Sequence, residues 1–192
     1  MPKASKKRAK ASRSNPLTVS RAQLLIRGSD HAFRQFVHDT LAFATRIQAV
    51  RSALGRVIGL SGTQYTILIA IAREQPKTGI GINYIADQLH FSPAFVTIEV
   101  NKLVAARLVS KTENPDDRRR VLLAITPKAE ELLLKLTVVQ QPVNDILFES
   151  LSAEDFDRMR RKMNSLVDSA DRAIRLLDFL PRNDNIHMHH PG

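Results

Sequence analysis

The stretch that decides the fold is INYIADQLHFSPAFVTIEVNKLVAARLVSKTENPDDRRRVLLAI, residues 82–125. Its first part predicts a short helix from about Ile82 to Leu89, closed by a tight turn at His90-Phe91. Ser92 is a good N-cap, because its hydroxyl can accept from an unpaired backbone N–H. Pro93 falls at the first helical position, where its missing N–H does no harm. A second helix then runs to about Ala106. Leu108-Val109-Ser110-Lys111-Thr112 predicts a strand, Asn114-Pro115-Asp116-Asp117 a turn, and Val121-Leu122-Leu123-Ala124-Ile125 a returning strand. Ile85, Ala86, Leu89 and Phe91 supply the contact across the first turn, with small Ala86 allowing close approach. Val96, Val100 and Leu103 form an inner stripe on the second helix. That leaves Ala94, Phe95, Ile98, Asn101 and Lys102 mainly outward, with Thr97 beside them. Two packed helices alone would suit any all-α core. The basic-tipped hairpin after them makes the pattern that of a winged helix-turn-helix.

Such a unit has a physical use for each part. An α-helix fits the major groove of B-DNA, where the side chains near its N-terminus meet base edges. The candidate contacts are therefore Ser92, Ala94, Phe95, Thr97, Ile98 and Lys102. Phe95 and Ile98 are unusual there, being apolar. Either they meet thymine methyls, or they are partly buried and Glu99 is the exposed residue. In the second case Glu99 accepts from a cytosine amino group or pairs with Arg107. The hairpin tip adds Asp117, Arg118, Arg119 and Arg120. A planar guanidinium suits the narrow, negative minor groove, and Asp117 is close enough to hold Arg119 extended. A solvated charged loop is the plainer alternative for these residues.

Outward from this unit the chain is helical. Phe33, Phe36/Val37, Phe43, Ile47, Val50, Leu54 and Val57 recur at steps of three and four, predicting a long helix from Asp30 to Val57 that Gly59 closes. Ser61-Gly62-Thr63-Gln64 has the form of a capping box and opens the next helix. Thr126-Pro127 starts another, which Pro142 should bend or interrupt. Ser152-Ala153-Glu154-Asp155 opens the last. Its apolar seam repeats every seven residues, through Phe156, Met163, Ala170 and Leu177 on one track and Met159, Leu166, Ala173 and Leu180 on the other. This seam suits a second copy of the chain, or packing within one subunit.

Of 192 residues, 43% are apolar, enough for a real core, while the low aromatic content and seven glycines argue against an all-β sandwich. The net charge is +10, and six positives crowd into Lys3, Lys6, Lys7, Arg8, Lys10 and Arg13. This segment lacks acids and large apolar side chains. It is expected to be a disordered arm, either solubilising or touching phosphates. The absence of cysteine excludes disulfides, thiolate metal sites and cysteine catalysis, and fits a reducing cytosol. No run of 18 apolar residues suggests a membrane span.

The segment Asp117-Arg118-Arg119-Arg120-Val121-Leu122-Leu123-Ala124-Ile125-Thr126 resembles the wing signature of the MarR family of bacterial transcriptional regulators. Leu60-Ser61-Gly62-Thr63-Gln64-Tyr65 is similar to that family's second-helix opening. Ile85-Ala86-Asp87-Gln88-Leu89 with Ser92-Pro93, Val96-Thr97 and Leu103 is similar to its helix-turn-helix. The resemblance covers about Asp30 to Leu180. It implies a mainly α fold with a small β-hairpin wing: a winged helix-turn-helix domain at 59–126, flanked by a helical dimerisation region at 17–58 and 127–181. A basic arm at 1–16 and a loose tail at 182–192 complete the expected organisation.

The resemblance further implies a homodimer on a pseudo-palindromic duplex operator, with Arg119 in the minor groove and Asp117 orienting it. It also implies a cytoplasmic, nucleoid-associated regulator, most often a repressor released by a small, often aromatic, anionic effector. His38, Arg46, Arg51 and Tyr65 are the polar candidates for effector binding, and surface or interface contacts are the alternative for each. The chain departs from the family pattern in three places. His90 and Arg107 replace turn glycines, and Ile98 stands where arginine is common.

An enzyme is not expected, since there is no Gly-rich phosphate loop, nucleophile elbow or metal-ligand spacing, and no cofactor is called for. His187-x-His189-His190 is a short histidine cluster expected to be inert, and His31 and His38 lack a third ligand. The competing class is a constitutive architectural or RNA-binding basic protein without ligand control.

Overall fold

A computed structural model describes residues 16–74, 80–114 and 121–180. The described residues divide into two compact units, one up to Thr137 and one from Val138.

In the first unit, α1 spans His31–Val57 and α2 spans Gly62–Glu74, bent 89° from it. The elbow between them follows from local chemistry. Gly59 takes φ +74°, where a side chain would be strained, and lets Leu60 N donate to Gly55 O at 2.9 Å. The capping box at Ser61 forms in both directions: Gln64 N donates to Ser61 Oγ at 3.1 Å and Ser61 N to Gln64 Oε1 at 3.0 Å. Gly62 is pressed against α1 so closely that a Cβ there would stand 2.3 Å from Ser52 Oγ and 3.0 Å from Ser52 Cα.

The rest of this unit is α3 (Ile82–Leu89), α4 (Pro93–Ala105), the antiparallel strands β1 (Val109–Glu113) and β2 (Val121–Ile125), and the first part of α5 (Pro127–Leu147). The hairpin register pairs Val109 with Ile125 and Glu113 with Val121. Leu123 N also donates to Ile80 O at 2.8 Å, so the segment before α3 lies along β2. The core joins Tyr65, Ile67, Leu68 and Ile71 of α2 to Ile85, Val96, Val100, Leu103 and Leu123. Ile85, Ala86, Val96, Val100 and Leu103 are buried as their spacing predicts, while Leu89 and Phe91 are partly buried beside them.

The entry into α1 differs from a simple cap. Asp30 occupies the N-cap position, yet its carboxylate serves the segment upstream. Thr18 N and Thr18 Oγ1 donate to Asp30 Oδ2 at 2.8 and 2.7 Å, and Arg34 Nε donates to the same oxygen at 3.0 Å. Arg34 Nη2 reaches Pro16 O at 2.7 Å. The helix's own His31 N is met by Ser29 Oγ at 3.2 Å.

The second unit holds the remainder of α5 and α6 (Ala153–Phe179), capped by Ser152 Oγ, which accepts from Asp155 N at 3.1 Å. Of the two effects expected of Pro142, bending or interruption, the interruption does not occur: α5 runs through it. Proline removes one N–H, and Pro142 lies on an exposed position where water can reach the carbonyl one turn earlier. No residue of α6 is buried, and its seam residues Phe156, Met159, Met163, Leu166, Val167, Ile174 and Leu177 are all exposed. No single helix among the described residues is long and apolar enough to cross a membrane.

Candidate nucleic-acid interface

The turn between α3 and α4 is tight because His90 adopts the left-handed conformation, φ 54° and ψ 39°. Phe91 N then donates back to Ala86 O at 3.0 Å, which closes the end of α3 and starts α4 at once. Ser92 Oγ accepts from Phe95 N at 3.2 Å, and Pro93 sits at the first helical position. α4 is thus fixed at its N-terminus by a left-handed turn, a cap and a proline. The ring of Phe95 is held edge-on to Phe91, centroids 5.3 Å apart.

The rotation of α4 about its axis determines which side chains it offers. Ile98 is 55% exposed and Phe95 39%, whereas Glu99 is only 7% exposed. Of the two alternatives for this helix, the structure therefore has Phe95 and Ile98 outward. Glu99 is neither free to meet a base nor paired with Arg107. Its Oε1 accepts from Lys102 Nζ at 2.7 Å. Ser92, Ala94 and Lys102 are exposed with Ile98 and Phe95, and Thr97 is half-buried, donating its hydroxyl to Pro93 O at 2.8 Å. Six of the candidate contacts thus lie on or at the start of one helix.

Just beyond the end of α4, Arg107 is again left-handed at φ 60°. Thr126 Oγ1 donates to Arg107 O at 2.8 Å and Lys128 Nζ to Ala106 O at 2.9 Å, so the far side of the hairpin holds the end of α4. One tie was not anticipated from sequence. Lys111 Nζ of β1 donates to Asn101 Oδ1 of α4 at 2.5 Å, fastening helix to wing. Alternation along β1 would place Lys111 on one face, but only the packed geometry brings that face over α4. The other candidate contacts, Asp117, Arg118, Arg119 and Arg120, lie outside the described residues, as do the basic arm before Pro16 and the histidines after Leu180.

The four effector candidates do not form one cluster. Arg51 and Tyr65 come together at the α1–α2 elbow. The Arg51 guanidinium lies 5.3 Å from the centroid of the Tyr65 ring and donates to Thr66 Oγ1 at 3.1 Å. Tyr65 is 1% exposed, and burial pushes its hydroxyl pKa up while the nearby Arg51 charge opposes that shift. His38 and Arg46 are exposed elsewhere on α1, and Arg46 Nη1 bonds back to Ala42 O at 2.8 Å. His38 is thirteen residues before Arg51, about 20 Å along the helix axis. No group of three metal-ligating side chains occurs among the described residues.

Residues 58–120 match the model of the MarR family. The uncharacterized HTH-type transcriptional regulator YhbI of Bacillus subtilis (strain 168) is 29% identical over 90 residues, covering 47% of this chain and 58% of that protein. The chain thus spans a little over half the length of that curated relative. Among solved structures, the MarR protein from Peptoclostridium difficile is similar with a TM-score of 0.61 at 18% identity, covering 78% of this chain and 94% of that one. The transcriptional regulator BldR from Sulfolobus solfataricus gives 0.59 at 22%, covering 73% and 96%. A mutant MarR from E. coli complexed with operator DNA gives 0.56 at 16%, covering 71% and 94%. At these identities the structural likeness establishes the fold: mainly helical, with a winged helix-turn-helix.

Proposed function

We propose, from the match of residues 58–120 to the MarR family's model, that this chain binds double-stranded DNA as a symmetric homodimer and regulates transcription in the cytoplasm at the nucleoid. The observation that carries this reading is α4. It is capped, braced by the hairpin, and exposes Ser92, Ala94, Phe95 and Ile98 from its N-terminal end, with Lys102 exposed in its last turn. Such a helix enters the major groove, while the tip residues Asp117–Arg120 reach the minor groove beside it. A two-fold pair reads half-sites about 34–36 Å apart. The exposed seam of α6 supports pairing, since an apolar stripe of that length is unfavourable in water unless a second copy covers it.

The chain acts as a repressor released by a small carboxylate-bearing effector. Arg51, half-buried beside Tyr65 and Thr66, is the effector candidate that supports this reading, since a guanidinium can hold a carboxylate bidentately. The effector shifts the dimer only in so far as it binds the two forms differently.

The test is footprinting of the full chain on its own upstream region against random duplex, followed by variants. Protection of a two-fold site is expected. Arg119→Ala should weaken operator binding by about 1–3 kcal/mol, whereas Lys3→Ala should only soften the salt dependence. Protection no stronger than on random duplex would favour the constitutive, sequence-independent basic protein instead.

A further inference from the structure

The side chains of α4 divide sharply by what they still have to offer. Each polar one already has a bond within the protein: Glu99 is buried against Lys102, Asn101 Oδ1 accepts from Lys111, the Thr97 hydroxyl donates to Pro93 O, and Ser92 Oγ accepts from Phe95 N. What the N-terminal half presents outward is Ala94, the Phe95 ring and Ile98. Ile98 is the most exposed large side chain of that face, and the Phe91 ring fixes Phe95. An apolar face on a helix that ends in a hydrogen-bonded cap is poorly suited to donor–acceptor readout. In the major groove one base feature is apolar, the C5-methyl of thymine.

Resting on the DNA-reading proposal above, we infer that α4 selects its half-site chiefly through thymine methyl groups, with Ile98 and Phe95 as the residues that determine specificity. The half-site is then a short thymine-bearing core, read by contact of methyl with side chain. Lys102, tethered by Glu99, is held at one side of the patch as a positive charge for the adjoining phosphate. The occupant of this apolar face is the duplex, because the face belongs to the same helix as the Ser92 cap and Lys102 and is continuous with the wing that Lys111 fastens to it.

The experiment begins with selection of an operator by the full chain from a random duplex pool. Each thymine of the selected half-site is replaced singly by deoxyuridine, which pairs identically and lacks only the methyl. At two or so adjacent positions Kd should rise about fourfold per methyl removed. Ile98→Ala should bind thymine and uridine duplexes equally at one of these positions, and Ile98→Val should keep most of the discrimination. An enriched operator that tolerates uridine at every position would overturn the methyl readout while leaving operator binding intact. No enrichment over random duplex would overturn the operator reading and this inference with it. If Ile98→Ala instead lowers the mass of the free protein in sedimentation, the patch is a protein contact and the inference is wrong.

Discussion

Asp30 sits in an environment unlike that of a free carboxylate. Hydrogen bonds from the Thr18 backbone and hydroxyl, then from Arg34, bring its pKa from 3.8 down to about 2. The folded chain therefore keeps a charge that the unfolded chain surrenders first as acid is added. The resulting stability is complete above about pH 4 and is lost as pH falls toward 2. Asp30→Asn should lower stability near neutrality and flatten the acid limb between those values. Denaturant titrations at a series of pH values check this, and an unchanged limb would remove Asp30 from the account. The Asp30–Thr18 pairing, twelve residues apart, was invisible in the sequence, where Asp30 read only as a helix start.

At the scale of elements, two junctions set the helix-turn-helix in place. Gly62→Ala should drive a Cβ into Ser52 of α1 and destabilise the chain by about 1–3 kcal/mol, read from the denaturation midpoint. A neutral Gly62→Ala would mean that α2 can slide on α1. At the other junction Arg107 holds the left-handed conformation that glycine adopts without strain. Arg107→Gly should stabilise by about 1 kcal/mol, while Arg107→Ala, which keeps the Cβ, should not. Thermal melts separate the two, with a gain of roughly 2–4 °C for glycine alone. Local signals of this kind were legible beforehand: the capping serines Ser61, Ser92 and Ser152 all cap, because a cap depends on three or four consecutive residues. Pro142 does not end α5, because its exposed position lets water serve the carbonyl left without its N–H partner.

At the scale of the whole molecule, the exposed seam of α6 carries the proposed pairing of two copies. Leu166→Glu places a charge in the middle of its seam. It should shift the chain toward monomer in sedimentation equilibrium and weaken operator binding in parallel, since two half-sites then bind independently. A variant that remains dimeric would place the interface elsewhere. The helix itself should still form, because Leu166 is exposed and no residue of α6 is buried among the described residues.

Composition, periodicity and caps were enough to determine the helices, the hairpin and their order, because each of those depends on neighbours within a turn or two of chain. They also gave the inner stripe of α4, since Val96, Val100 and Leu103 repeat with the helix. They did not determine whether Ile98 or Glu99 faces outward. Adjacent residues differ by only about 100° around the axis, and that rotation is settled by how α4 seats on α2, α3 and β1. The packing of α2 on α1 likewise brought Tyr65 and Thr66 to Arg51, while His38 and Arg46 stay exposed farther along α1. What a helix is made of is a local matter, but which of its faces meets water is decided by the elements that press against the other side.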